Sequence, residues 1–243
     1  MAPPPPAPAV AYGAHPEQVG NLHLPAEDGG PWPTVVLLHG GFWRQRWDRT
    51  TTTPLARDLA ARGFAAWNLE YRRAGWPTTL LDVAAGIDAL AEQREIDLDR
   101  IVAIGHSAGG QLAFRAVSAA RVRLRAVVSL TGVLDLVAAA RASLGDGACQ
   151  AFLGGEPEEV PDRYADASPA ARLPLGVPQL LVHGPLDDIV PPSQSRDYAA
   201  AARVAGDEVE LVEPAGADHF DVIDPAHPAW LEVVGRLPGL LGC

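Results

Sequence analysis

The chain has 243 residues and a formal net charge of −11, from 19 basic and 30 acidic side chains; this balance argues against nucleic acid and against anionic membrane surfaces as partners. Every basic residue is Arg, and the lack of Lys excludes a Schiff-base lysine, a pyridoxal phosphate anchor and a P-loop lysine. The length suits one large α/β domain able to bury roughly 70% of its unfolded surface. No 18-residue apolar run is available to span a membrane, and Cys149 and Cys243 lack metal or redox spacing.

Residues 1–9, mostly Pro and Ala, read as a disordered tail and not as a signal peptide, so a cytoplasmic protein is expected. A single domain over 10–243 should follow. Gln18 to Leu24 alternates weakly, as an edge strand would, and Thr34 to Leu38 reads as a buried strand running into His39-Gly40-Gly41-Phe42-Trp43. Thr53 and Pro54 suit the N-cap and first position of a helix ended by Gly63. Phe64 to Leu69 is the next strand, and Thr78 or Thr79 caps a helix reaching about Gln93. Ile101 to Ile104 is a β-branched strand, followed by Gly105-His106-Ser107-Ala108-Gly109 and a helix-compatible segment. Arg121, Arg123 and Arg125 alternate as a solvated entry to the strand Ala126–Leu130. Residues 134–173 are irregular, with short helical pieces near Asp135–Arg141 and Cys149–Leu153, and their position after a central strand suits a small cap over the site. Gln179 to Val182 is a strand, Ser193 opens a helix to about Ala205, Glu208 to Glu213 is the last strand, and Pro228 to Leu237 closes the chain as a helix. Strands alternating with helices imply a mostly parallel sheet with helices on both faces, whose reactive loops gather at the carboxyl ends of the strands.

The segment 105–109 fits G-x-S-x-G between a strand and a helix, the setting of a nucleophile elbow. A serine hydroxyl needs an adjacent base, and the base a group to orient it. Asp187 and His219 follow Ser107 in loops after predicted strands, which supplies the order serine, acid, histidine. The spacing His183-Gly184-x-x-Asp187-x-x-Val190-Pro191 favours Asp187 as the acid, with Asp188 and Asp135 as alternatives. Tandem glycines at 40 and 41 let main-chain N–H groups turn toward a substrate oxygen, and the Ala108 N–H sits at a helix start. Trp43 and Trp47, with Tyr71 and Trp76 later, are candidates for the walls of an acyl or aromatic pocket. No cluster has zinc spacing, so neither metal nor cofactor is expected.

On these residues the chain resembles an α/β-hydrolase over nearly its whole length. His39-Gly40-Gly41-Phe42-Trp43 resembles the HGGxW oxyanion loop of the kynurenine formamidase (arylformamidase) and small carboxylesterase group, and Glu70-Tyr71-Arg72 its post-strand segment. The stretch from Tyr12 to Pro25 resembles the entry of small esterases of that group. The resemblance implies an oxyanion hole formed by the N–H groups of Gly41, Phe42 and Ala108, with His39 holding the loop. His106 stands where lipase-like relatives commonly carry an acidic residue, and the loop is one glycine short of HGGG; both features fit the formamidase or small-esterase side. The expected activity is serine hydrolysis of small carboxylic esters or N-formyl amides. A small serine peptidase and a non-catalytic binding protein on the same fold are the alternatives. The expected partner is a small ester or amide substrate; a homodimer would be unremarkable.

Overall fold

The computed structural model describes residues 7–27 and 29–243. The predicted tail lies outside the described residues over 1–6. Its last residue departs from expectation, because Ala9–Ala11 forms a short strand, β1. The following strands are β2 (Val19–His23), β3 (Trp32–Leu38), β4 (Ala65–Leu69), β5 (Ile96–His106), β6 (Ala126–Leu130), β7 (Gln179–Val182) and β8 (Val209–Val212). They form one sheet in the order β1-β2-β4-β3-β5-β6-β7-β8. β1 and β2, and β2 and β4, pair antiparallel, and every later pair is parallel. β2 is therefore an inner strand rather than the edge that its weak alternation suggested.

The helices are α1 (Thr53–Ala61), α2 (Thr78–Asp88), α3 (Ala108–Ala119), α4 (Leu136–Arg141), α5 (Ala148–Leu153), α6 (Pro161–Ala167), α7 (Ser193–Val204) and α8 (Pro228–Leu241). Each central strand is apolar on both sides because both faces are covered. Val35 and Leu37 of β3, with Val102 and Ile104 of β5, pack with Leu55 and Leu59 of α1 and Trp230 and Val233 of α8. The alternate residues Val36, Leu38 and Ala103 pack with Val83 of α2, Leu112 of α3 and Tyr198 of α7. The Trp230 indole N–H donates to Asp58 at 2.7 Å and ties the last helix to the first.

Several element starts differ from the sequence reading, for local reasons. The chain enters α1 through a 3-10 turn, Arg49–Thr52, capped by Asp48, whose Oδ1 accepts from the Thr50 N–H at 2.8 Å. Thr53 is therefore not the cap. Neither Thr78 nor Thr79 caps α2; the Thr79 hydroxyl instead donates to the Arg72 carbonyl at 2.8 Å and accepts from the Ala74 N–H at 3.2 Å. β5 begins five residues before Ile101. The register against β3 shifts there, from Trp32 opposite Ile96 to Thr34 opposite Ile101, so charged Asp97, Asp99 and Arg100 fall within the strand and hide its apolar pattern.

The order of the strands places the site. After β3 the chain crosses through α1 to β4 on one side; after β5 it crosses through α3 to β6 on the other. The loops leaving β3 and β5 thus diverge, and a crevice opens between their carboxyl ends. Leu38 is level with Gly105, Gly105 with Ser129, and Ser129 with Leu181, so the loops that follow these strands start at one level.

Two glycines test how tightly the layers meet. A Cβ on Gly109 would run into the carbonyl oxygens of Leu38 and His39, whereas one on Gly235, on the exposed side of α8, meets nothing within 4 Å. Gly109→Ala should destabilise the protein by about 1–3 kcal/mol or more, as overpacking against backbone does. Gly235→Ala should stabilise it by about 0.5–1 kcal/mol through helix propensity. Urea denaturation of the two variants measures both.

Candidate active site

Ser107 sits at the turn between β5 and α3 with φ 54° and ψ −121°, a backbone conformation that costs a non-glycine residue energy and persists only where its surroundings enforce it. The enforcement is visible. A Cβ on Gly105 would clash with the Gly109 carbonyl, and Gly109 itself lies against the end of β3. The two glycines of G-x-S-x-G are therefore where strand and helix touch. The Ser107 N–H donates to the Leu130 carbonyl at 2.9 Å, and the Ser107 carbonyl accepts from Gly110 N–H at 2.9 Å. The residue is only 2% exposed.

His219 and Asp187 are brought together as their order in the chain predicted. His219 Nδ1 and Asp187 Oδ2 are 2.7 Å apart. The carboxylate can only accept, so Nδ1 carries the hydrogen and Nε2 presents a lone pair. Asp187 Oδ1 accepts from the N–H groups of Ile189 at 2.9 Å and Val190 at 2.8 Å. His183, which sequence reading gave no role, lies behind this pair with Nε2 3.4 Å from Asp187 Oδ2 and 2.9 Å from the Val190 carbonyl; its Nδ1 accepts from the Ser195 hydroxyl at 2.7 Å. Burial alone would raise the Asp187 pKa. The hydrogen bonds from His183 and His219, and the Val190 N–H, outweigh it and hold the carboxyl well below the usual carboxylate range. The alternative acids are placed elsewhere. Asp135 caps α4, accepting from Val137 and Ala138 N–H, and Asp188 is exposed.

The loop after β3 is held by a buried charge cluster. Gly41, Phe42 and Trp43 have φ values of 113°, 54° and 53° in succession. Glycine takes such a φ freely, but Phe42 and Trp43 do not, so the loop needs external anchors. His39 Nε2 bonds Glu70 Oε1 at 3.0 Å, its ring stacks on Tyr71 at 4.4 Å, and the Tyr71 hydroxyl donates to the His39 carbonyl at 2.7 Å. Glu70 also accepts from Arg49 N–H at 3.0 Å, from Tyr71 N–H at 3.1 Å and from Arg73 Nη1. Burial pushes its pKa up, but the bonds from His39 and Arg49 and the charge of Arg73 bring it down to about 2. Among the described residues the N–H groups of Gly41, Phe42 and Ala108 have no hydrogen-bond acceptor. They are the groups expected to face an oxyanion.

A cavity of about 400 Å³ opens at this crevice, and Ser107, His219, Gly41, Phe42 and Trp47 are in its walls. Three of the four predicted pocket aromatics are not. Trp43 stacks on Phe152 at 4.6 Å and donates to Gln111 Oε1 at 3.1 Å, so it locks the loop onto α3 and α5. Tyr71 is the stacking partner of His39. Trp76 donates to Asp166 at 3.0 Å and meets the edge of Phe152. Each has a polar group and a neighbour that satisfy it away from the cavity. The segment 134–173 likewise lines none of the cavity; it packs beside the loop, with Gly145 against the Phe42 ring and its carbonyl accepting from Arg44. The segment expected as a cap thus meets the loop at Phe42 and Arg44. The walls that sequence reading missed are Arg46, Thr51, Ile189, Phe220, Ile223 and His106.

His106 Nε2 bonds the His219 carbonyl at 3.0 Å and the two rings lie 4.7 Å apart. Burial, and secondarily the neighbouring His219, lowers the His106 pKa from its ordinary 6.5 to about 3. Between those values the unfolded chain binds a proton that the folded one refuses, so stability falls as pH drops from 6.5. Glu70, depressed from 4.5 to about 2, adds to the loss below pH 4.5. Urea denaturation from pH 7 to pH 4 should show the unfolding free energy declining with acid, and His106→Gln should flatten the portion above pH 4.5.

The esterase LipC of Mycobacterium tuberculosis is 29% identical over a match covering 89% of this chain and 60% of that protein. The isoprenylcysteine alpha-carbonyl methylesterase ICME of Arabidopsis thaliana is 25% identical, over 88% of this chain and 56% of its own length. The chain thus spans about 60% or less of these two relatives. Among solved structures, a truncated carbohydrate esterase from gut microbiota superposes with a TM-score of 0.83 at 20% identity, covering 97% of this chain and 95% of the other. Esterase Est2 of Thermogutta terrifontis gives 0.77 at 24% identity, covering 98% and 93%. The fold is that of the α/β-hydrolases. The BD-FAE family model matches residues 21–201, three quarters of the chain, and the chain belongs to that family.

Proposed function

We propose that this protein is a serine hydrolase of small carboxylic esters. The observation that carries the reading is the 2.7 Å bond between His219 and Asp187 beside a cavity whose walls hold both His219 and the strained Ser107. The esterase names of the relatives support the same class. Ser107 Oγ attacks the ester carbonyl while His219 Nε2 takes its proton. Asp187 keeps the imidazole in the correct tautomer and stabilises the imidazolium. The negative charge on the former carbonyl oxygen is met by the N–H groups of Gly41, Phe42 and Ala108. His219 then returns the proton to the departing alcohol, and water, activated by the same histidine, releases the acid from Ser107. A cavity of about 400 Å³ walled by Phe42, Trp47, Ile189, Phe220 and Ile223 suits a short or aromatic acyl group.

The His39–Trp43 loop, which resembles that of the formamidases, makes N-formyl amides the second substrate class to test. Hydrolysis of p-nitrophenyl acetate, butyrate and octanoate should be measured beside N-formylkynurenine. Short esters should be preferred, and Ser107→Ala should lower kcat by about 10⁴-fold or more. A fluorophosphonate should add to wild type and not to Ser107→Ala, read by intact mass. Asp187→Asn should cost about 10⁴-fold through the wrong tautomer; Asp188→Asn, at an exposed position, should cost little. Activity surviving Ser107→Ala would overturn the mechanism, and formamide turnover well above ester turnover would reassign the substrate.

A further inference from the structure

Arg46 is the one formally charged side chain among the residues in the cavity walls. The others are apolar, glycine, hydroxyl-bearing or histidine. Nearby arginines are engaged: Arg44 by the Gly145 carbonyl, Arg49 by Glu70 and Asn21. Arg46 is exposed and, among the described residues, has no hydrogen-bond or ion-pair partner. Its guanidinium lies over the Trp47 ring, 5.6 Å from the centroid, and Trp47 is itself a cavity wall. The cation is thus held at the rim of the site while its donors stay free.

We propose that Arg46 makes this site selective for esters that carry a carboxylate, such as hemiesters of dicarboxylic acids. The proposal rests on the hydrolase reading above and names the substrate class for it. A net charge of −11 gives the molecule a field that repels anions. An unpaired guanidinium at the mouth offers an approaching carboxylate an opposite charge at close range. The planar fork of Arg matches a carboxylate with two parallel N–H···O bonds, and its position over an aromatic ring limits the freedom lost on binding. A neutral ester covering the same guanidinium would displace its water and return nothing. The carboxylate takes no part in bond making; the ester bond breaks by the steps already given.

The test compares matched esters with the 243-residue chain. Mono-p-nitrophenyl glutarate against p-nitrophenyl valerate places the charge in the acyl group. 4-Butyryloxybenzoate against phenyl butyrate places it in the leaving group. For at least one pair, the charged-to-neutral ratio of kcat/KM should fall about tenfold in Arg46→Met, the scale of one charge-assisted hydrogen bond. Arg46→Lys should recover part of the ratio, Arg46→Glu should depress it further, and 0.5 M salt should narrow it in wild type. Unchanged ratios in both pairs overturn the proposal, as does a parallel loss on charged and neutral esters, which would mark a structural role. Turnover of the neutral esters keeps the hydrolase reading standing in either case; no turnover of any of the four, with no fluorophosphonate adduct, overturns that reading and this one together.

Discussion

The contact between Gly105 and Gly109 is the constraint on which the site depends. Because neither carries a Cβ, β5 can turn into α3 within one residue, and that residue, Ser107, is left in a backbone conformation it would not adopt alone. The same close approach seats the start of α3 against the carbonyls that end β3. Strand, helix and neighbouring loop are thereby locked to one another, and Ser107 is set beside Gly40. The energy stored at Ser107 is offset by the fully buried core on both faces of the sheet.

Around this fixed point the protein places its costly groups in pairs. Asp187 and Glu70 are both buried carboxylates, and each is satisfied by a histidine together with main-chain N–H groups. Their tasks differ. Asp187 orients a histidine that faces the cavity, whereas Glu70 orients one that faces away and holds a strained loop in place. Burying either charge without these partners would cost several kcal/mol, so the partners specify one arrangement. His106 adds a third device: kept neutral by burial, it binds the carbonyl of His219 and fixes the main chain that carries the ring.

The mouth of the site is organised differently from its floor. The floor is polar and buried: Asp187, His219 and His106 are held by hydrogen bonds, and among the described residues the Gly41, Phe42 and Ala108 N–H groups are left without an acceptor. The rim is aromatic and aliphatic, with Phe220 52% exposed, and carries one unpaired cation. In the proposed hydrolase the floor would act on the ester bond and the rim would meet the rest of the substrate. The segment 134–173 contributes to neither directly. It stiffens the loop from the side through Gly145 and Phe152.

By itself the sequence determined the alternation of strands and helices, the elbow around Ser107 and the chain order of Ser107, Asp187 and His219. These are local properties: β-branched runs, glycines where chains must touch, and polar residues just beyond strand ends. Only the tertiary structure decided which side chains meet. The spacing favours Asp187 over its neighbour Asp188 without excluding it, and the turn that aims Asp187 at His219 leaves Asp188 in solvent. Trp43, Trp47, Tyr71 and Trp76 are four aromatics near one loop. The direction of each ring depends on partners far along the chain, Phe152, Gln111, His39 and Asp166, so three turn into packing and one into the cavity. Arg46 stands among other arginines, and only its place in the cavity wall, with no partner among the described residues, sets it apart. Strand ends and turns are written in neighbouring residues, whereas side-chain direction is settled by contacts between residues dozens of positions apart, which no local pattern records.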